Sequence, residues 1–445
     1  MHSYLEVKNL YNPSQHGFRP GRSCLSQLLA HVERLTSNLQ NDENVDAIYL
    51  DFSKAFDKVD HAILLHKLQN IGIRGQLLNW LKSFLTDRVQ KVSVNTFLSY
   101  ESTVISGVPQ GSVLGPVLFL IMISDIDENV KHSILSSFAD DTRLMKSITA
   151  AADIVLLQED LDSVYEWTTK NNMSLNGTKF VHLPYGKNQE LMSCSTYHSD
   201  TGEDISTKDT VKDLGVLFSN DLTYNSHIQM IVNKVKNISS WVYRTFKTRE
   251  QSTMLTLWKS LVIPHLDYCS QLWSPSKRLL MQDLEKLQKS FLKGVELPHN
   301  LNYWEKLKYL SLYSLERRRE RYQIIYTWCI IEGLVPNFNY EDGKGGIYSY
   351  MNLRLGRKCH LKSVNTKHRN IWKGCLSDSG PRLFNILPKN LRNTTNCSKL
   401  SFKLKLDRFL QDVPDEPLLQ NYLCFRRADS NSLVEMVKHR TPRVG

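Results

Sequence analysis

The sequence predicts an α+β fold in which a mixed domain with antiparallel hairpins precedes a basic helical domain. Three observations predict it. The first half carries short β-prone runs, clearest in "AIYL" and "SILSSFADDTRLM". Beyond Asn225, apolar residues recur at i, i+3 and i+4 with Lys or Arg between them. The charge also changes there. Residues 226–445 hold 37 Lys+Arg against 18 Asp+Glu, a net of +19, while the first 225 hold 19 against 27, a net of −8.

The elements follow in order. Ala47 to Leu50 form a continuous run suited to a buried strand. A helix begins near Asp60, whose carboxylate suits an N-terminus. Its Ile63, Leu64 and Leu68 share a face, and Gly72 ends it. "QLLNWLKSFLTDR" makes a second helix; "VQKVSVN" and "SYESTVIS" alternate as a hairpin or meander. "VLFLIMISDI" has the length of a buried helix. "HSILSSFADDTRLMKSI" reads as strand, tight turn, strand. A helix from about Ala150 to Asn171 places Ile154, Leu157, Leu161 and Val164 on one face. "KFVHLPY" and "VKDLGVLFS" are further strands. After the joint, near 220 to 226, come helices over "SHIQMIVNKVKNISSWVYRTFK", "STMLTLWKSLVIPHLDYC", "SKRLLMQDLEKLQKSFLKGV" and "YWEKLKYLSLYSLERRRERYQIIYTWCIIEGL". A loop-like stretch, Asn337 to about Asn370, then leads to a tail containing "SGPRLFNILPKNLRN".

A chain of 445 residues, 41% hydrophobic, has room for two to three domains. It has no apolar run of about eighteen residues, so no membrane span is expected. "MHSYLEVKNLYNPSQHGF" lacks the layout of a secretory signal. Eight cysteines without C-x-x-C spacing fit reduced thiols. Together these suggest an intracellular protein, not a secreted one. Cys359, His360, His368 and Cys375 are the nearest approach to a metal cluster, but their spacing matches no standard zinc layout.

Chemistry concentrates in the acidic half. Asp140 and Asp141 sit side by side in a predicted turn, where such pairs commonly bond their own backbone. Asp51 closes the first buried strand, with Lys54, Phe56 and Asp57 after it. Asp51 and Asp57 have an ordinary use too, solvating a strand exit and opening a helix. A carboxylate at a strand end facing a second turn with two more suits hard cations such as Mg²⁺. Two such ions about 3.5–4 Å apart clamp the attacking and leaving oxygens of phosphoryl transfer.

"AIYLDFSKAFDKVDH", "SGVPQGSVLGPVLF" and "FADD" follow one another in the order of the reverse transcriptase motifs of non-LTR (LINE-type, jockey/CR1-like) retrotransposons, which this chain resembles. "SQHGFRPGRSC" is similar to the preceding fingers motif, and "MSLNGTKF" and "VKDLGVLFS" to the next two. "HIQMIVNKVKNISS", "PHLDYCSQLWSP" and "LEKLQKSFLKGV" resemble the thumb. The resemblance implies a right-hand polymerase, with partial fingers over 1–45, palm over 46–225, helical thumb over 226–300 and a basic C-terminal region over 301–445. It implies an RNA-directed DNA polymerase that extends a DNA primer on an RNA template with dNTPs, using two Mg²⁺ ions, with Mn²⁺ as a substitute.

By the same resemblance Asp51, Asp140 and Asp141 are the catalytic, metal-binding aspartates, helped by the Phe52 carbonyl. Phe56 is the steric gate under the incoming sugar, against a role as a plain core ring. Gln110 and Gly111 line the nucleotide and template strand. Lys179 is the general acid for pyrophosphate, against a plain surface lysine. Leu214 and Gly215 form the primer grip. Arg19 and Arg22 contact template or triphosphate, or are solvated loop cations. The basic helices suit a template–primer duplex. There "ERRRER", residues 316 to 321, tracks a phosphate backbone or pairs within its helix. Trp241, Trp258, Trp273 and Trp328 stack bases or fill a core.

Relatives of this kind carry an endonuclease and more fingers ahead of "QHGFRPGRS", so an N-terminally truncated copy is expected. Two rival functions compete with this reading: an inactive nucleic-acid-binding remnant and an RNA-templated RNA polymerase, the latter disfavoured by Phe56. A setting in the nucleus and/or cytoplasm is expected from the family's way of life.

Overall fold

The computed structural model describes residues 1–275, 277–336, 375–417 and 430–440. The chain divides into two units, Met1–Gln27 with Asn41–Leu214, and Leu28–Gln40 with Gly215–Gly445. The divide thus falls at 214/215, earlier than the expected joint. It also cuts helix Cys24–Gln40, most of which goes with the helical half. In that unit Glu33 is buried and accepts from the Ser377 amide, and the His31 ring meets Phe218 edge-on at 5.8 Å. Helical periodicity announces an apolar face without saying which partner covers it.

The first unit opens with α1 (His2–Val7) and the start of α2 (Cys24–Gln40), then β1 (Asn44–Leu50), α3 (His61–Asn70) and α4 (Gly75–Leu85). Asp60 caps α3 as expected, its side chain accepting from the Ile63 amide at 3.0 Å. A ribbon follows, in which β2 (Arg88–Gln90) pairs with β5 (Ser102–Val104) and β3 (Ser93–Val94) with β4 (Phe97–Leu98). Then come α5 (Gly115–Met122), β6 (Ile134–Phe138), β7 (Asp141–Ile148), α6 (Ala151–Lys170), β8 (Val181–Tyr185), α7 (Gln189–Cys194), β9 (Ser206–Thr207) and β10 (Thr210–Asp213).

The main sheet runs β6-β7-β1-β8-β9. β1 is central and antiparallel to both neighbours, and only β8–β9 is parallel. The sheet is therefore mixed. Leu64 and Leu68 of α3, Val117 to Met122 of α5, and Leu157, Leu161 and Val164 of α6 are buried. They share one core with Ile48, Leu50, Leu135 and Leu144 of the sheet. An α5 apolar on all sides has no solvent face to offer, so it lies inside.

The second unit contains β11 (Val216–Ser219), α8 (Asn225–Thr245), α9 (Gln251–Leu257), α10 (Ile263–Asp267), α11 (Arg278–Lys293), α12 (Tyr303–Tyr309), α13 (Leu315–Ile331), α14 (Leu376–Asn385), α15 (Lys389–Arg392), α16 (Lys399–Gln411) and α17 (Leu433–Arg440). Three expectations need correction here. "VKDLGVLFS" is not one strand. Leu214 and Gly215, with φ of 43° and 83°, break it into β10 and β11. The helix over 252–269 is interrupted by a π turn, Trp258–Val262. Pro264 has no N–H for the usual bond four residues back, so the ladder is disturbed where it enters.

The third correction concerns "ERRRER". Its arginines are spent inside this unit. Arg317 is fully buried and donates to the carbonyls of Val413, Pro414 and Asn431. Arg318 grips Asp267 with two bonds, and Arg321 grips Asp407 the same way. Arg319 lies 3.9 Å over the Trp273 ring. Trp258, Trp273 and Trp328 are buried, whereas Trp241 is half-exposed. Cys359, His360, His368 and the stretch from Asn337 to Asn370 lie outside the described residues.

Candidate active site

β1 delivers Asp51. Its last pair is Leu50 opposite Thr142, and one step further the same register sets Asp51 beside Asp141. Phe138 pairs with Asp141, leaving Ala139 and Asp140 as a two-residue turn between β6 and β7. Ala139 takes φ of 56°, a left-handed value that non-glycine residues rarely adopt. The expected tight turn is present, and it carries Asp140 at its tip and Asp141 at the start of β7.

The three carboxylates feel one another. Burial, then the charge of Asp51, pushes the Asp140 carboxyl up. Asp141 is pushed up to about 6 by burial first, then by Asp140, Asp213 and Asp51. Such crowding of negative charge calls for a cation. One is partly supplied: the Lys179 ammonium lies 3.0 Å from Asp51 Oδ2, on an exposed pair. Among the described residues no three His, Cys, Asp or Glu side chains converge as a finished cage. The donor set nevertheless fits Mg²⁺, which is usually held by one or two carboxylates and completed by water and substrate phosphate.

The segment 173–180 lies against Asp51. The Asn176 amide donates to the Asp51 carbonyl at 2.8 Å, and that of Ser53 to the Ser174 carbonyl at 2.8 Å. These bonds flank the bridge between Phe52 and Leu175, so the Phe52 carbonyl takes no part in it. Phe56 is partly exposed, stacked on Phe119 at 4.3 Å and met edge-on by Phe18 at 6.1 Å.

The loop carrying Gln110 is laced to the loop after Asp51. The Val108 amide donates to Phe56 O at 2.9 Å and that of Gly107 to Val59 O at 2.8 Å. A Cβ on Gly107 would come within 2.7 Å of Asp57 O. Gln110 itself donates to Asp57 Oδ1 at 2.8 Å. Gly111 has φ of 79° and open space where a side chain would stand. The chain thus gathers Asp51, Phe52, Phe56, Gln110, Gly111, Asp140, Asp141 and Lys179 within the first unit.

Arg19 and Arg22 are used differently. Arg19 holds Glu6 through two bonds of 2.9 and 2.7 Å and lies over the Tyr11 ring. Arg22 donates to the carbonyls of Pro13 and Gln15. Through these bonds both brace the N-terminal segment.

Two features escaped the sequence reading. Arg143, nearly buried on β7, pairs with the buried Asp213 and donates to Ser136 Oγ at 3.1 Å. These groups, with Asp51, Asp141 and Lys179, line a cavity of about 300 Å³. Polar residues fill much of β7, so nothing in its sequence singled out Arg143. The second is Gln15, which grips the Ala139 turn; its proximity to "FADD" has no sequence signal, since 124 residues separate the partners.

Against known proteins, residues 1–218 match the family described as "Reverse transcriptase (RNA-dependent DNA polymerase)". The similarity to the reverse transcriptase family spans those residues, a little under half of the chain. The RNA-directed DNA polymerase from mobile element jockey of Drosophila melanogaster is 30% identical over 295 residues, 63% of this chain and 31% of that protein. The probable RNA-directed DNA polymerase from transposon X-element of the same species is 28% identical over 281 residues, 61% of this chain and 30% of that one. The transposon BS counterpart is 24% identical over 325 residues, 70% of this chain and 36% of its own length. The chain therefore spans about a third of the curated non-LTR relatives it matches. The reverse transcriptase domain holds every residue of the gathered site.

Proposed function

We propose that this chain is an RNA-directed DNA polymerase that adds dNTPs to the 3′-hydroxyl of a DNA primer paired with an RNA template. One observation carries the reading: Asp51 at the end of β1 shares a charged neighbourhood with Asp140 and Asp141 on the β6–β7 turn, inside a domain of the matching family. The five-stranded sheet with its helices serves as the palm, and the helices of 226–300 as the thumb. The setting is the nucleus and/or cytoplasm.

Asp51, Asp140 and Asp141, with the Phe52 carbonyl, are the ligands we assign to two Mg²⁺ ions, or Mn²⁺. When bound, the ions sharpen the attacking hydroxyl and neutralise the departing pyrophosphate. The remaining steps fall to side chains. Phe56, held by Phe119, stands where a 2′-hydroxyl would collide with its ring. Gln110 and Gly111 offer an open turn to the nucleotide and template strand. Lys179 carries an ammonium beside Asp51 from which a proton can pass to pyrophosphate. Leu214 and Gly215 form the primer grip.

Primer extension on poly(rA)–oligo(dT) with Mg²⁺ and dTTP tests the activity. Templated incorporation is expected, falling by roughly a hundred- to a thousandfold, what losing a principal charge-stabilising group costs, in Asp140→Ala. Salt-sensitive duplex binding without incorporation would instead identify an inactive nucleic-acid-binding chain.

A further inference from the structure

The turn that bears the carboxylates does not hold its shape alone. Ala139 pays for a left-handed φ of 56°, and a two-residue turn leaves the polar groups of its tip to find partners elsewhere. Gln15 supplies them. Its Oε1 accepts from the Ala139 amide at 2.8 Å and its Nε2 donates to the Ala139 carbonyl at 3.2 Å. The same Oε1 accepts from the Gly17 amide at 2.7 Å, which fixes the side chain from its own segment. Gln15 is buried, so water does not compete for these bonds.

The surrounding backbone makes the grip stiff. The His16 amide donates to Ser137 O at 2.9 Å, and the Ser137 amide to Ser14 O at 3.2 Å, so residues 14–16 run beside β6 through an isolated bridge of Gln15 with Ser137. Gly17 lets that segment close on the turn, because a Cβ there would stand 2.4 Å from the Ala139 nitrogen.

We propose that Gln15 is a positioning residue for metal binding: its amide reads both polar groups of Ala139 and thereby sets the direction in which Asp140 and Asp141 leave the hairpin. The proposal rests on the assignment of these aspartates as metal ligands. It gives "SQHG" a function distinct from any contact with template or nucleotide.

The test measures Mn²⁺ bound to the full chain by electron paramagnetic resonance, without substrate or turnover. Gln15→Met keeps the volume and loses all three bonds; Gln15→Glu keeps the acceptor for Ala139 and Gly17. Outer-shell partners typically govern metal affinity by about 10–100-fold, so Gln15→Met is expected to weaken binding by about tenfold or more, with partial recovery in Gln15→Glu. The Ala139 amide of the unaltered chain is expected to exchange its hydrogen slowly, a readout that needs no variant. Wild-type Mn²⁺ affinity in a folded Gln15→Met, or fast exchange at Ala139, overturns the proposal. Mn²⁺ binding that survives Asp140→Asn together with Asp141→Asn overturns the metal assignment itself, and the proposal falls with it.

Discussion

Phe56 is held by a neighbour on each side, and only one of them was visible in advance as a core residue. Phe119 belongs to the buried α5, whereas Phe18 is partly exposed and meets Phe56 edge-on. An aromatic pair of this kind contributes about 0.5–1.5 kcal/mol. Phe18→Ala is therefore expected to let the Phe56 ring give way, raising ribonucleotide against deoxynucleotide incorporation roughly fivefold, which is about 1 kcal/mol. A competition assay with both substrates reads the ratio, and an unchanged ratio would show that Phe18 does not support the gate proposed at Phe56. At this scale the nearness of the three aspartates was legible from the order of the motifs that carry them. The arginines of "ERRRER" were not. An arginine at helical spacing looks the same whether it meets a phosphate or a carboxylate, and here Asp267 and Asp407 lie far off in sequence.

Hairpins and helix caps were legible as elements because their chemistry is local. Asp60 capping α3 and the turn between β6 and β7 both follow from neighbouring residues. The breaks within β10–β11 and α9–α10 were harder, since a single Gly or Pro had to outweigh a continuing apolar pattern. Hardest to see was the support brought from a distance. Asp160, buried on α6, accepts from the amides of Lys131, His132 and Ser133, which lead directly into β6. Removing a charged acceptor from three partly buried amides costs on the order of 2 kcal/mol. Asp160→Ala should lower the urea midpoint of the first unit accordingly, and Asp160→Asn by less, because one acceptor oxygen remains. Denaturation followed by circular dichroism decides it; a midpoint unmoved in both variants would contradict the staple.

For the whole molecule, the split between a mixed unit and a helical one was legible in charge and periodicity, while the allegiance of residues 28–40 was not. The second unit also buries carboxyls that the composition hides. Burial pushes Glu285 up to about 8, against the bonds from Tyr303 and Leu315 that favour its charged form. Burial likewise pushes Glu320 up to about 8, with Glu316 adding to it. Both are raised above the unfolded value near 4.5, so the folded state binds more protons between the two. Their contribution is complete below about pH 4.5 and is lost as pH rises through 8. The unfolding midpoint of this unit is expected to fall from pH 6 to pH 8, and less steeply in Glu285→Gln. A midpoint that climbs over that range would contradict the sign.

The central claim is that Asp51, Asp140 and Asp141 form one catalytic centre. Single-turnover addition of one dNTP to a primer on an RNA template tests it most directly, with duplex affinity measured alongside. Asp141→Asn is expected to bind the duplex as the unaltered chain does and to add the nucleotide roughly a hundred- to a thousandfold more slowly, on the scale of a lost charge-stabilising group. Addition at an undiminished rate by that variant would contradict the account.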